Sequence, residues 1–188
     1  MIGYAFCGSF CTFEDSFHQL EHLISQGNSV QPIMSETAYE TDTRFGSASY
    51  WQQKISCLCQ RDIIHSIPAA EPLGPKQPLE LLIIAPCTGN TLAKLSAGIT
   101  DSAVCMATKA HLRTDRPLII ALASNDSMSA NLKNIGSMLT RKSVYFVPMY
   151  QDDPIGKPHS LVADFPSLPQ TVQQALNGIQ PRPLFLTK

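Results

Sequence analysis

Apolar residues fall along this chain in two rhythms. Continuous apolar runs at Leu79 to Ala85 and Leu118 to Ala123 predict strands buried on both faces. Shorter runs at Ile2 to Cys7, Val30 to Met34, Ile63-Ile64 and Val144 to Met149 predict further strands. Between them the period changes. Phe13, Phe17, Leu20, Leu23 and Ile24 are spaced 4, 3, 3 and 1, one face of a helix opened by a Thr12/Asp15 capping pair and stopped by Gly27-Asn28. Other helices are predicted over Ala48 to Cys59, Thr91 to Ala97, from an Asp101 or Ser102 cap to Leu112, over Ala130 to Leu139, and over Pro169 to Leu176 behind Ser167. Ser35 to Gly46 reads as polar and irregular, Pro68 to Pro78 as a stiff loop, and Gln151 to Pro166 as a Pro-rich surface arm. Alternating strands and helices predict a three-layer α/β fold with a mainly parallel sheet of about six strands. It forms one domain over residues 1–180, with an extended or disordered tail over 181–188.

Composition narrows the function. A net charge of −1 gives no electrostatic case for binding nucleic acid or an anionic membrane. No apolar run approaches the roughly 18–20 residues of a membrane span, and the N-terminus reads as a strand rather than a signal peptide, so a cytoplasmic protein is expected. Only 15% of residues are charged, which favours a surface partly covered by copies of the chain. The six cysteines read as buried thiols of a reducing compartment. Cys57-Leu58-Cys59 lacks the spacing of a zinc or redox pair, and His18 and His22 share a helix face without a third ligand, so no metal is expected.

Candidate chemistry gathers at strand exits. Pro86-Cys87-Thr88-Gly89-Asn90-Thr91 joins a buried strand to a helix, the junction where parallel sheets bind ligands. Pro86 stiffens the turn, Gly89 frees it, and Thr88, Asn90 and Thr91 offer polar groups beside a helix start. The first turn, Gly8-Ser9-Phe10-Cys11-Thr12, lacks the glycine pattern of dinucleotide sites. Its hydroxyls and helix start suit one phosphate, with Ser35 beside it, or else Ser9 and Thr12 only cap the helix. Asn125, after Ala123-Ser124, either reaches the same crevice or forms an Asx-turn. Arg44 either binds a carboxylate or pairs with Asp42. No Ser/His/Asp or Cys/His arrangement is legible, and spacing singles out no acid or base.

These segments resemble the homo-oligomeric flavin-containing cysteine decarboxylase superfamily. Pro86-Cys87-Thr88-Gly89-Asn90-Thr91 is similar to its Pro-Ala-Ser-Ala-Asn-Thr motif, and Gly98-Ile99-Thr100-Asp101 to the Gly-Ile-x-Asp that follows. Ala123-Ser124-Asn125 with Met128 resembles its Pro-Ala-Met-Asn-x-x-Met, with Leu122 in place of proline and Ser124 in place of methionine. A sporulation branch of the superfamily is marked by Thr41-Asp42-Thr43-Arg44-Phe45-Gly46, Ala70-Glu71-Pro72-Leu73-Gly74-Pro75-Lys76, and Tyr145-Phe146-Val147-Pro148 with Gln151-Asp152-Asp153-Pro154-Ile155.

The resemblance implies a Rossmann-like, flavodoxin-type chain that binds FMN through Gly8, Ser9, Phe10, Ser35, Pro86, Thr88, Asn90, Thr91, Ser102 and Ala123. It implies trimers or multiples of trimers. It also implies a separate A subunit with its own NADP-type nicotinamide site, the pair oxidising a dihydrodipicolinate-type precursor in the mother-cell cytoplasm of a spore former. Asn90 and Asn125 are then the candidates to face the reaction, and Arg44 and Lys76 the cations for a small dicarboxylate. A non-catalytic flavin-binding scaffold, a flavin-dependent decarboxylase and a flavin prenyltransferase are the other readings. Against decarboxylation, Glu71-Pro72-Leu73 stands where the decarboxylases carry a catalytic histidine, and His65 is out of register.

Overall fold

The structure is a computed structural model and describes residues 1–187; position 188, the last of the expected tail, lies outside the described residues. In chain order the elements are β1 (Ile2–Phe6), α1 (Phe13–Ser25), β2 (Val30–Met34), α2 (Glu36–Glu40), α3 (Ala48–Cys59), α4 (Ile67–Ala70), β3 (Leu81–Cys87), α5 (Gly89–Ala97) and α6 (Ala103–Leu112). There follow β4 (Leu118–Ser124), α7 (Leu132–Leu139), β5 (Val144–Phe146), β6 (Met149–Tyr150), β7 (Leu161–Ala163) and α8 (Leu168–Leu176).

The apolar runs take the centre of the sheet. Its order is β2-β1-β3-β4-β7-β6, with β5 also paired to β4, and β2, β1, β3, β4 and β5 run parallel. Side chains alternate across it. Leu82 and Ile84 of β3 join the core under α5, α6 and α7, while Leu81, Ile83 and Ala85 join the core with Phe13, Phe17, Trp51 and Leu168 of α1, α3 and α8. Every residue of β1 and β3 is buried, which is why neither strand shows a polar alternation. A buried hydrogen-bond chain ties α1 to this centre: the Tyr4 hydroxyl donates to the Ser16 carbonyl (2.9 Å), and the Ser16 hydroxyl donates to the Ala85 carbonyl (2.6 Å). Among the described residues no helix is long and apolar enough to cross a membrane.

Several expectations are corrected. The sheet is mainly parallel as expected, with seven strands among the described residues against the six or so anticipated. The run Val144 to Met149 is split at Val147-Pro148, because proline offers no N–H to continue a ladder, and β6 then leaves antiparallel to β7. The Pro-rich arm contains β7, which pairs with β4 at Ala123 and Ser124. Ile63-Ile64 supplies only a single bridge, from Ile64 to Ile33. Ser35 to Gly46 begins with α2, which Ser35 caps by accepting the Ala38 N–H (3.2 Å). The Pro68–Pro78 loop begins inside the short helix α4. Thr12 does not cap α1 through its side chain; its hydroxyl turns back to the Ser9 carbonyl (2.9 Å). Ser167 likewise makes no side-chain cap. The tail is extended, and it docks: Met149 exchanges backbone hydrogen bonds with Leu184 and Leu186 (2.9 and 2.8 Å). Of the six cysteines only Cys7, Cys87 and Cys105 are buried, whereas Cys11 faces out from the first turn and Cys57 from the solvent side of α3.

His111, in the last turn of α6, is fully buried with Nδ1 unpartnered and Nε2 2.8 Å from the Pro117 carbonyl. Burial holds its pKa below the ordinary 6.5. The unfolded chain therefore takes up a proton that the folded chain resists. The stability tied to this group is complete above about pH 6.5 and is lost as pH falls below it. Urea denaturation near pH 7.5 and pH 5 is expected to show a smaller difference in stability for His111→Gln than for the parent chain; an equal difference refutes the assignment.

Candidate functional site

The order β2-β1-β3-β4 puts a topological switch point between β1 and β3, since the chain leaves β1 toward β2 and returns on its other side. Gly8 follows β1, and Thr88 follows β3. Two hollows meet there, both lined by Gly8, Thr88 and Asn90. The first, about 390 Å³, extends toward Ser35, Thr91 and Ser102. The second, about 340 Å³, extends toward Ser9, Ala123 and Asn125.

Three helices begin around the first hollow. Thr88 caps α5 by accepting the Thr91 N–H (3.1 Å), and its hydroxyl donates to the Thr91 hydroxyl (3.1 Å). Ser102 caps α6 by accepting the Cys105 N–H (3.2 Å). Ser35 caps α2. These hydroxyls already serve as cap acceptors. A carboxylate also stands here: Glu36 Oε1 accepts the Ala103 N–H at the start of α6 (2.9 Å). Lys94, the one cation lining this hollow among the described residues, is bound to Asp101 at 2.9 Å, and that hydrogen bond is the main cause of its raised pKa. Two carboxylates against one lysine make the first hollow a poor seat for a phosphate dianion.

The second hollow has a different donor set. Asn90 and Asn125 are exposed, and their amides have no partner among the described residues. The Ser9 hydroxyl and the Gly8 N–H are also without protein partners among those residues. The Asx-turn reading of Asn125 is therefore not what the chain adopts; the loop is held by the neighbouring Asp126, whose backbone carbonyl accepts the Ser129 and Asn131 N–H groups (3.1 and 3.2 Å). Its carboxylate accepts from the Ser124 hydroxyl (2.6 Å) and the Asn131 amide (2.9 Å). Gly89 packs tightly beneath this loop. A Cβ there would lie 2.5 Å from Ser124 Oγ, 2.6 Å from Asn131 Nδ2 and 2.7 Å from Asp126 Oδ1, so any larger residue would displace the Ser124–Asp126–Asn131 network at the β4 exit.

Three thiols lie in the core beside the crevice. Burial pushes Cys7 up to about 12 and raises Cys87 and Cys105 as well, so they are protonated at neutral pH and supply no nucleophile.

Gly8, Ser9, Ser35, Thr88, Asn90, Thr91, Ser102, Ala123 and Asn125 all line one or both hollows. Phe10 does not; it packs on Phe13 with centroids 5.1 Å apart. Pro86 is buried within β3, and its carbonyl accepts the Cys7 N–H (3.1 Å). Arg44 lines neither hollow. It is exposed, its guanidinium rests 4.8 Å from the Phe45 ring centre, and it does not pair with Asp42, which instead accepts the Ala48 N–H (2.8 Å). Lys76 also lines neither hollow. It follows Gly74, whose Cα side lies against the Ala110 carbonyl near the far end of α6 from Ser102, so Lys76 sits toward the opposite end of the sheet. Glu71 is exposed in that same segment, and His65 stacks on Tyr39 at 3.8 Å, away from the lining residues. Glu36, Lys94, Asp101 and Asp126 were missed by sequence reasoning. Ser35-Glu36 held the available signal, a cap followed by an acid in a first turn.

The chain matches the Flavoprotein family over residues 2–172. It is 42% identical over 185 residues to the dipicolinate synthase B subunit of Bacillus subtilis (strain 168), covering 98% of this chain and 92% of that one. The crystal structure of the dipicolinate synthase B subunit from Bacillus halodurans C superposes with a TM-score of 0.91 at 40% identity, covering 100% of this chain and 96% of the other. The FMN-dependent cysteine decarboxylase SpaF shares the fold at a TM-score of 0.64 and 20% identity, over 93% of this chain and 95% of that one. The chain belongs to the flavoprotein family, and it is similar over its whole length to the B subunits of dipicolinate synthase.

Proposed function

We propose that this chain is the FMN-binding B subunit of a dipicolinate synthase, working with the A subunit to oxidise a dihydrodipicolinate-type precursor to dipicolinate. The observation that carries the reading is the donor set of the second hollow: two free amides and a free hydroxyl at the switch point, in a chain 42% identical to a dipicolinate synthase B subunit. Gly8, which lines both hollows, and Ser9, which lines only the second, would hold the phosphate by an N–H and a hydroxyl. Asn90 and Asn125 would meet the hydrogen-bonding edge of the ring system, because a side-chain amide both donates and accepts. Bound flavin supplies a two-electron acceptor for the hydride lost as the substrate ring aromatises. The accompanying proton has no evident base in the second hollow, since both Asp126 oxygens are engaged.

That lack of a base favours a second reading, a flavin-binding scaffold in which an NADP-type site on the A subunit takes the hydride. Assaying each purified subunit alone and then the two together separates the readings. Decarboxylation gains no support, because the stretch Glu71-Pro72-Leu73 holds no histidine and lies outside both hollows. The reading places the protein in the mother-cell cytoplasm as a homotrimer or a multiple of one. Arg44, unpaired with any carboxylate among the described residues, is the proposed contact for a substrate carboxylate.

Titration of the apoprotein followed by flavin fluorescence is expected to show tighter binding of FMN than of FAD, since the turn offers room and donors for one phosphate; equal or tighter FAD binding overturns this. Asn90→Asp removes an N–H donor and adds an anion, and is expected to weaken FMN binding about tenfold or more at an unchanged melting temperature. Wild-type affinity in that variant would leave Asn90 without a role in the site. Arg44→Lys should lower substrate use by the two subunits together while leaving FMN affinity as it was, because a lysine loses the two-pronged grip on a carboxylate. Loss of flavin affinity with intact substrate use would make Arg44 structural.

A further inference from the structure

Between α5, α6 and α7 lies a hollow of about 330 Å³ that shares no lining residue with either part of the crevice. Its floor is apolar. Leu95 and Met138 are buried, Leu112 is part-buried, and the half-exposed Ile99 forms part of the wall. The Thr108 hydroxyl donates within α6, to the Val104 carbonyl (2.8 Å), so it makes no demand on a ligand.

The rim is cationic. Lys109 and Arg113 stand one turn apart on α6, and Arg141 follows α7. Lys54, Lys94, Lys142 and Lys157 each hold a carboxylate, but none of these three rim cations does among the described residues, and no carboxylate lines the hollow. Arg141 is anchored by one N–H on the Ser96 carbonyl (2.9 Å), which leaves the rest of its fork for an anion. Free carbonyls at the end of α5 would repel an anion, but that end is closed. The Gly98 N–H donates to the Leu95 carbonyl (3.2 Å) and the Ile99 N–H to the Lys94 carbonyl (2.9 Å).

Size and charge together define the ligand. The volume is near the small end of ligand pockets, roughly 300–1,000 Å³, which suits a compact ring better than a long chain. α5 packs against both α6 and α7, so the cations reach the hollow from its two flanks. Two separate cationic flanks over one apolar floor ask for two anionic groups on a rigid apolar body. We propose that this hollow binds a small flat ring carrying two carboxylates, with the ring on Leu95, Leu112 and Met138, one carboxylate on Lys109 and Arg113, and the other on Arg141. The inference does not rest on the reading of the crevice. Two sources share the chemistry: the aromatic dicarboxylate that the proposed reaction yields, and a carbocyclic acid from elsewhere.

Calorimetric titration of the full chain with isophthalate, a benzene ring with two carboxylates, is expected to show saturable binding. Arg113 is exposed and has no partner among the described residues, so Arg113→Glu should keep the parent melting temperature and weaken isophthalate about tenfold or more. Lys109→Glu should act in the same direction. Asn90→Asp, in the crevice, should leave isophthalate binding as it was, which separates this site from the flavin reading. Benzoate, with one carboxylate, should bind about tenfold more weakly than isophthalate. Dipicolinate distinguishes the sources: binding at least as tight as isophthalate and weakened by Arg113→Glu makes the hollow a site of product feedback, whereas weaker binding assigns it to a carbocyclic acid. No saturable binding of isophthalate, wild-type affinity in Arg113→Glu and Lys109→Glu, or benzoate bound as tightly as isophthalate overturns the proposal. So does binding that is lost in Asn90→Asp and kept in Arg113→Glu, which would put the ligand in the crevice.

Discussion

The constraint on which this molecule turns is that β1 and β3 are buried on both faces. A parallel sheet of this kind has no solvent side, so helices must cover it above and below, and each crossover must carry the chain back before the next strand. All the parallel strands therefore end on one side of the molecule, and the helices that follow them begin there. The crevice at Gly8 and Thr88 is the geometric residue of that arrangement. The Tyr4–Ser16–Ala85 chain holds α1 against β1 and β3 just short of the strand exits, so the two turns that form the crevice descend from a fixed base.

Within the crevice, polar residues of the same type do different work. Ser35, Thr88 and Ser102 accept N–H groups at three helix starts, and Glu36 takes a further N–H of α6. Ser9, Asn90 and Asn125 are left free. The separation is electrostatic as well. Glu36 and Asp101 outweigh Lys94 on one side, while on the other the carboxylate of Asp126 is absorbed by Ser124 and Asn131. The Ser9, Asn90 and Asn125 side of the crevice thereby carries less uncompensated negative charge than the Glu36 and Asp101 side.

Much of this was legible in the residues, for physical reasons. β2 and α3 fall at the limits their periodicity predicts, and Phe13, Phe17, Leu20 and Leu23 are the buried face of α1. The turn from Pro86 to Thr91 was legible because a buried run, a proline, a glycine and a cap lie in sequence. What was hidden depends on partners distant along the chain. β7 is three residues long and exists because β4 offers it an edge at Ala123 and Ser124. α2 and α4 are too short to show a period. Lys76 and Phe10 stand in suggestive motifs, yet nothing local says that Gly74 is drawn against Ala110 or that the Phe10 ring turns to Phe13. Which hydroxyls are spent on caps is likewise a property of the folded chain.

The docking of the tail on Met149 has a consequence of another kind. The outer strands of this sheet are β2, β6 and the short β5, whose Phe146 backbone is met by the Gln180 side chain, and an uncovered outer strand invites copies of a protein to extend one another's sheets without limit. β2 carries Pro32 and is flanked by the Ile64 bridge. β6 is flanked by residues 184–186, through the Met149–Phe185 bridge and the hydrogen bonds to Leu184 and Leu186. The last few residues of the chain thus serve as a stopper. They deny the backbone of β6 to a second copy, a safeguard that matters in a chain with only 15% charged residues to keep its surfaces apart.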